Sequence, residues 1–214
     1  MILVGQLDSP YVRRVAVTLR HYGLPFTRSP LSVFSDAEEM RRINPLGRVP
    51  SLVLDDGEVL VDSAAIIDHL DQLAGPERAL TPAAGPERRR CLRLVALATG
   101  AIDKAMLVAY ERLRRPPERQ FEPWVERCRV QAETALGALD AVAPSPWLLG
   151  ARFSQADVTV AAMVGYVRTA PDDLLPVGRY PNLDRLSDAC EALPEFVESH
   201  PSIDAGLGAP VRGL

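Results

Sequence analysis

The chain changes character at one place, the proline- and glycine-rich span Gly75 to Pro86. Before it, strand and helix signals alternate; after it, every apolar pattern has a helical period. A sheet and a helical bundle bury their apolar faces by different packing geometries, so a chain divided in this way reads as two units. With 214 residues, 47% of them hydrophobic, there is enough material for two modest cores. The boundaries read from the sequence are 1–76 for the first unit, 77–86 for the linker and 87–214 for the second.

In the first unit, Ile2 to Gln6 is a short apolar strand, and Pro10 to Tyr22 a helix with core face Val12, Val15, Ala16, Leu19 and Tyr22. Gly23 closes that helix, and Pro25 follows it. A second strand is expected over Phe26 to Leu31 and a polar helix over Asp36 to Arg42. Ser51 to Leu54 and Glu58 to Val61, separated by Asp55-Asp56-Gly57, form a hairpin signal, and Ser63 opens a helix Ala64 to Leu73. The order β-α-β-α-β-β-α gives a mixed four-stranded sheet with a parallel part and an antiparallel hairpin, similar to a thioredoxin-like domain. In the second unit, helices are expected over Glu87 to Arg114, Pro117 to Val142, Ser154 to Val167 and Asn182 to Ala192, with a short one around Glu195.

Charge and composition exclude several roles. The net charge of -4 comes without a basic tract dense enough to follow a phosphate backbone, which argues against a nucleic-acid partner. The clusters Arg88-Arg89-Arg90 and Arg112 to Arg115 alternate with apolar residues at helical spacing and read as solvated helix faces. No run approaches the ~18 apolar residues of a membrane helix, and MILVGQL does not resemble a signal peptide, so a cytoplasmic protein beginning at Met1 is expected. Cys91, Cys128 and Cys190 are widely spaced, without CxxC or neighbouring histidines; they read as small buried side chains, not as disulfide partners or metal ligands.

Three motifs carry chemistry, each with a bland alternative. Asp8-Ser9-Pro10 is a complete helix start by itself, with serine as N-cap and proline at the first helical position. Asn44-Pro45-Leu46-Gly47-Arg48-Val49-Pro50-Ser51 is a turn entering a strand; read more sharply, a cis Val49-Pro50 bond would turn the Val49 N–H and C=O outward to pair with an extended peptide. Val61-Asp62-Ser63-Ala64-Ala65 places a serine at a helix start directly after a strand, either as a cap or as a carboxylate site on the helix dipole. Taken one at a time, each is a structural device.

Together, at this spacing, they occur in glutathione transferases, and the sequence resembles that family across its length. Phe153-Ser154-Gln155-Ala156-Asp157-Val158-Thr159 also looks like the family's folding signature in the helical domain, a capping box of Ser154 and Asp157 that serves stability. The resemblance implies a thioredoxin-like α/β domain followed by an all-α bundle, glutathione as co-substrate, no metal and a homodimer. It also implies site roles. Ser9 would donate a hydrogen bond to the glutathione sulfur, Val49 would pair with its cysteinyl backbone, and Pro50 would hold the loop in its cis form. Asp62 and Ser63 would hold the γ-glutamyl end, and Arg48 would face the glycine carboxylate. Asp103 would reach a partner subunit's glutathione, and Met106, Tyr110 and Tyr166 would line an electrophile pocket. Ser9 stands where omega-like relatives carry cysteine, the beta-type cysteine and zeta-type Ser-Ser-Cys pattern are absent, and Asp62 replaces the Glu or Gln of many relatives. The activity implied is transfer of glutathione to a small hydrophobic electrophile in detoxification. The alternatives are a non-catalytic glutathione-fold binding or regulatory protein, and a glutathione-dependent isomerase or dehalogenase.

Overall fold

A computed structural model describes residues 1–169, 176, 178–205 and 207. Contacts divide the described residues into a first unit, Met1–Leu80 with 192–205 and 207, and a second within Thr81–Glu191.

The first unit follows the order read from the sequence: β1 (Ile2–Val4), α1 (Pro10–His21), β2 (Thr27–Ser29), α2 (Ala37–Ile43), β3 (Ser51–Val53), β4 (Val59–Val61) and α3 (Ser63–Ala74). The sheet order is β2-β1-β3-β4, with β1 parallel to β2 and antiparallel to β3, and β3 antiparallel to β4. Leu3, Val15, Ala16, Leu19, Leu52, Ile66 and Leu70 are fully buried, the apolar faces of α1 and α3 meeting the sheet. Helix α1 ends in a Schellman motif: Gly23, at φ +66°, donates to Arg20 C=O, and Leu24 N–H to Leu19 C=O.

Two features of this unit depart from the sequence reading. Arg13 and Arg14 join the buried surface of α1, each only 3% exposed. They can do so because both are bonded: Arg13 Nε donates to Ser199 C=O at 3.1 Å and Arg14 Nη2 to Ser63 Oγ at 2.7 Å. Secondly, α8 (Pro194–Val197) and the 3-10 turn Pro201–Asp204 pack with the first unit, whereas the sequence reading gives everything from 87 to 214 to the helical domain. Residues 208–214 lie outside the described residues. Phe196, fully buried under the Arg13 guanidinium at 5.4 Å, anchors the segment on α1.

The second unit is α4 (Gly85–Arg114), α5 (Glu122–Asp140), α6 (Gln155–Thr169) and α7 (Pro181–Glu191). The helix expected from Pro117 is interrupted: Pro117–Arg119 is a 3-10 turn, and α5 begins only at Glu122. Gln120 and Phe121 are occupied in closing the preceding helix, Gln120 Nε2 donating to Arg115 C=O at 3.0 Å and Phe121 N–H to the Glu111 carboxylate at 3.0 Å. All three cysteines are buried and outside any disulfide. No helix among the described residues is long and apolar enough to cross a membrane, and those residues contain no cluster of three or more His, Cys, Asp or Glu able to hold a metal.

The start of α6 is built around Asp157, which has no exposed surface. One carboxylate oxygen accepts Ser154 N–H at 2.9 Å and Ser154 O–H at 2.7 Å, and the other accepts Leu148 N–H at 2.8 Å. Burial pushes the carboxyl above its ordinary range, while the bonds from Leu148 and Ser154 pull it back. The carboxylate so fastens the 148 loop to the helix start.

Asp157→Ala would leave three buried donors without an acceptor, at about 1–3 kcal/mol each, partly relieved by relaxation. A loss of about 3 kcal/mol or more is expected in urea unfolding of the intact chain. Gly5→Ala should also destabilise, by about 1–3 kcal/mol for overpacking, because a Cβ there would lie 2.6 Å from Val12 Cγ2 and 2.9 Å from Val49 Cβ. At φ +127° the backbone adds strain of its own. The same unfolding measurement checks it.

Candidate functional site

The strand register decides which loops meet. Val4 pairs with Ser51, and Ser51 with Val61. The chain leaving β1, the chain entering β3 and the chain leaving β4 therefore emerge at one end of the sheet. That end collects Ser9, Arg48, Val49, Pro50, Asp62 and Ser63 from three separated stretches of sequence.

Each loop is shaped by a local device. Gly5 lets α1 and the Val49 loop approach β1 closely, since any side chain there would meet Val12 and Val49. Ser9 is the N-cap of α1, its Oγ accepting Val12 N–H at 3.5 Å, with Pro10 at the first helical position. The cap uses a lone pair of the hydroxyl and leaves its proton available to donate. Asp8, beside it, has its carboxyl pushed up by burial; the Ser9 amide pulls it down and the charge of Asp204 adds to the rise.

The Val49–Pro50 peptide bond is cis. Buried Asn44 holds that loop: its Nδ2 donates to Arg48 C=O at 2.8 Å and its Oδ1 accepts Leu46 N–H at 3.0 Å. Val49 is half-buried and Arg48 is exposed.

At the third loop the structure shifts the sequence reading by one residue. Asp62, not Ser63, is the N-cap of α3, its Oδ1 accepting Ala64 N–H at 2.8 Å. Its φ of +68° is unique among the non-glycine residues described. Such a conformation costs free energy in an L-residue and clusters at binding sites. Ser63 is then the first helical residue, 2% exposed, and its Oγ receives the Arg14 guanidinium. Aspartate is as apt a capping residue as serine, and the backbone turn at Asp62 gives it the role.

Two helices thus begin at this end of the sheet, and their first-turn N–H groups and dipoles make it favourable to anions. A hydroxyl with a spare proton sits at one helix start, and a buried serine backed by a guanidinium at the other.

Sequence reasoning missed Arg14, Gly5 and Asn44. Arg14 left a signal in its position beside the apolar stripe of α1, where a solvated arginine is out of place; Gly5 left one in ending a strand directly before a capped helix.

In the helical unit, a cavity of about 430 Å³ is lined by residues that include Leu107, Tyr110, Phe121 and Trp124. Tyr110 is among its lining residues, together with Glu111, Arg114 and Arg115, while Met106 and Tyr166, both half-buried, are not. Asp103 is exposed on α4. His21, the histidine nearest Ser9 in sequence, is paired through Nδ1 with Glu195 at 2.8 Å at the far end of α1.

Comparison with known proteins matches residues 3–78 to the Glutathione S-transferase, N-terminal domain and residues 122–189 to the Glutathione S-transferase, C-terminal domain. Among curated relatives, maleylacetoacetate isomerase of Pseudomonas aeruginosa is 30% identical over 91% of this chain and 92% of its own. An uncharacterized GST-like protein of Escherichia coli, YibF, is 31% identical over 80% of this chain and 85% of its own. Among solved structures, a glutathione S-transferase of Methylobacterium radiotolerans in complex with glutathione sulfonate superposes with a TM-score of 0.87 at 31% identity, covering 92% of this chain and 93% of that one. A glutathione transferase family member of Pseudomonas fluorescens with bound glutathione gives a TM-score of 0.83 at 35% identity, covering 94% and 98%. With both domain models matched in order and the fold shared over nearly the whole chain, this protein belongs to the glutathione S-transferase family.

Proposed function

We propose that the chain is a glutathione-dependent enzyme that holds the tripeptide at the sheet end described above and activates its thiol for attack on a small hydrophobic electrophile. The observation that carries this reading is the meeting of Ser9, Val49 and Ser63 through the register Val4–Ser51–Val61. Ser63 and the amides opening α3 suit the γ-glutamyl carboxylate, and Asp62 suits its amino group. The Val49 backbone, beside the cis bond, would pair with the cysteinyl segment and leave the sulfur near Ser9. Arg48, exposed on the same loop, suits the glycine carboxylate.

A thiol with pKa near 8.5 is only about 3% ionised at pH 7, so the protein must favour the thiolate. Lowering the pKa by about two units takes roughly 2.7 kcal/mol, at 1.36 kcal/mol per unit. A hydrogen bond to an anion contributes about 1.5–3 kcal/mol and a helix N-terminus about 0.3–1. Ser9 supplies the first and α1 the second. Its role is that of a donor, not a covalent nucleophile, and no base is required beside it.

A second reading, glutathione-assisted isomerisation, is favoured by the relatives named maleylacetoacetate isomerase. It uses the same thiolate. Addition to a carbon–carbon double bond gives a stabilised carbanion, rotation follows, and expulsion of the thiolate restores both the double bond and glutathione. The missing Ser-Ser-Cys pattern separates this chain from the zeta-type pattern.

The test is glutathione binding by calorimetry, with turnover of an aromatic halide and of maleylacetoacetate measured side by side. Ser9→Ala should lower kcat/KM by about ten- to a hundred-fold, the equivalent of one charged hydrogen bond, with glutathione affinity nearly unchanged. Ser63→Ala should instead raise the KM for glutathione about ten-fold, because it removes a ground-state contact. No binding of glutathione at millimolar concentration would overturn the proposal.

A further inference from the structure

In the loop joining β1 to α1, three amides in turn find acceptors in different parts of the chain. Gly5 N–H donates to Ser29 C=O at 2.9 Å, extending the pairing with β2, and Ser9 N–H closes a turn onto Gln6 C=O at 3.2 Å. Between them, the buried Leu7 N–H has passed the end of the sheet and takes no strand acceptor. It donates instead to the Asp204 carboxylate at 2.7 Å, across 197 positions of sequence. The same oxygen of Asp204 accepts the Arg28 guanidinium from β2, an ion pair that holds the carboxylate in place. Gln6 reaches the same segment through a bond from its side chain to Leu207 C=O.

Asp204 is delivered there by a strap laid antiparallel along α1. Glu195 pairs with His21, Glu198 with Arg20 at 3.2 Å, Phe196 and Ser199 C=O with Arg13, and Asp204 with the loop that ends in Ser9. Its first contact, at Glu195, is with residue 21 and its last, at Asp204, with residue 7, although Phe196 reaches Arg13 ahead of the Glu198–Arg20 pair. The last contact fixes the residue two positions before Ser9.

We propose that Asp204 is a positioning residue for the Ser9 hydroxyl: by holding Leu7 N–H it sets the turn that aims the hydroxyl at the glutathione sulfur. The inference rests on the thiolate role of Ser9 proposed above. A hydrogen bond to a sulfur anion is steeply sensitive to distance and angle, so a loosened loop weakens thiolate stabilisation before it weakens binding of a tripeptide gripped at Val49 and Ser63.

The experiment is a spectrophotometric pH titration of the glutathione thiolate bound to the intact chain, with steady-state kinetics, for wild type, Ser9→Ala, Asp204→Ala, Asp204→Asn and the double variant Ser9→Ala/Asp204→Ala. Asp204→Ala should raise the apparent thiol pKa by about one unit and lower kcat/KM about ten-fold, with the glutathione dissociation constant within about two-fold of wild type. Asp204→Asn keeps an acceptor for Leu7 N–H and should recover most of the pKa shift, and it stands in if the alanine variant does not fold. In the Ser9→Ala background, the Asp204 substitution should shift the pKa no further, since residues acting through one contact are non-additive. A thiol pKa unchanged in both Asp204 variants, or a shift fully additive with Ser9→Ala, would overturn the inference while leaving the role of Ser9 intact. If Ser9→Ala itself leaves the thiol pKa unmoved, the role of Ser9 and this inference fall together.

Discussion

The pairing of Ser51 with both Val4 and Val61 is the constraint on which the rest of the site depends. A slip of one residue in either ladder would turn each strand's side chains to the opposite face and move a loop away from the common end. Leu52, fully buried at the centre of β3, specifies the register because a slip would expose it. Core packing and site assembly are thus one condition: the sheet that buries Leu3 and Leu52 is the sheet that gathers Ser9, Val49 and Ser63.

Around this end, polar groups do the finer placement. The Arg14–Ser63 bond joins the openings of α1 and α3, so a buried guanidinium couples two loops that share no stretch of sequence. Its cost of desolvation is offset by charge-assisted bonding, and the geometry it enforces is specific, since a guanidinium presents its donors in a fixed fork. Asn44 does the equivalent work inside one loop, using both ends of its amide.

Much of this was legible in the sequence because it is local. The order of elements in the first unit, the hairpin around Gly57, the Ser9-Pro10 helix start and the Ser154–Asp157 pairing follow from residues a few positions apart. What the sequence reading lacked falls where a more distant partner or a backbone turn decides. Arg13 and Arg14 are buried because residues 199 and 63 await them. The α5 start moves to Glu122 because Gln120 and Phe121 close α4. The cap of α3 falls on Asp62 through a backbone turn that an aspartate is only slightly more apt than others to make. The Asp204 clasp joins positions 197 apart, and no periodicity could announce it.

The strap also bears on how the chain is made. Residues 192–204 complete a unit whose remainder lies before position 81, with the whole helical unit emerging in between. On a ribosome, residues 192–204 emerge only after the helical unit, so Arg13 lacks its Phe196 and Ser199 partners until then. Closing so long a loop is entropically cheap per added residue, about 0.6 kcal/mol for each doubling of length. The delay is one of order, with the loop leading into Ser9 the last part of its unit to meet its partner.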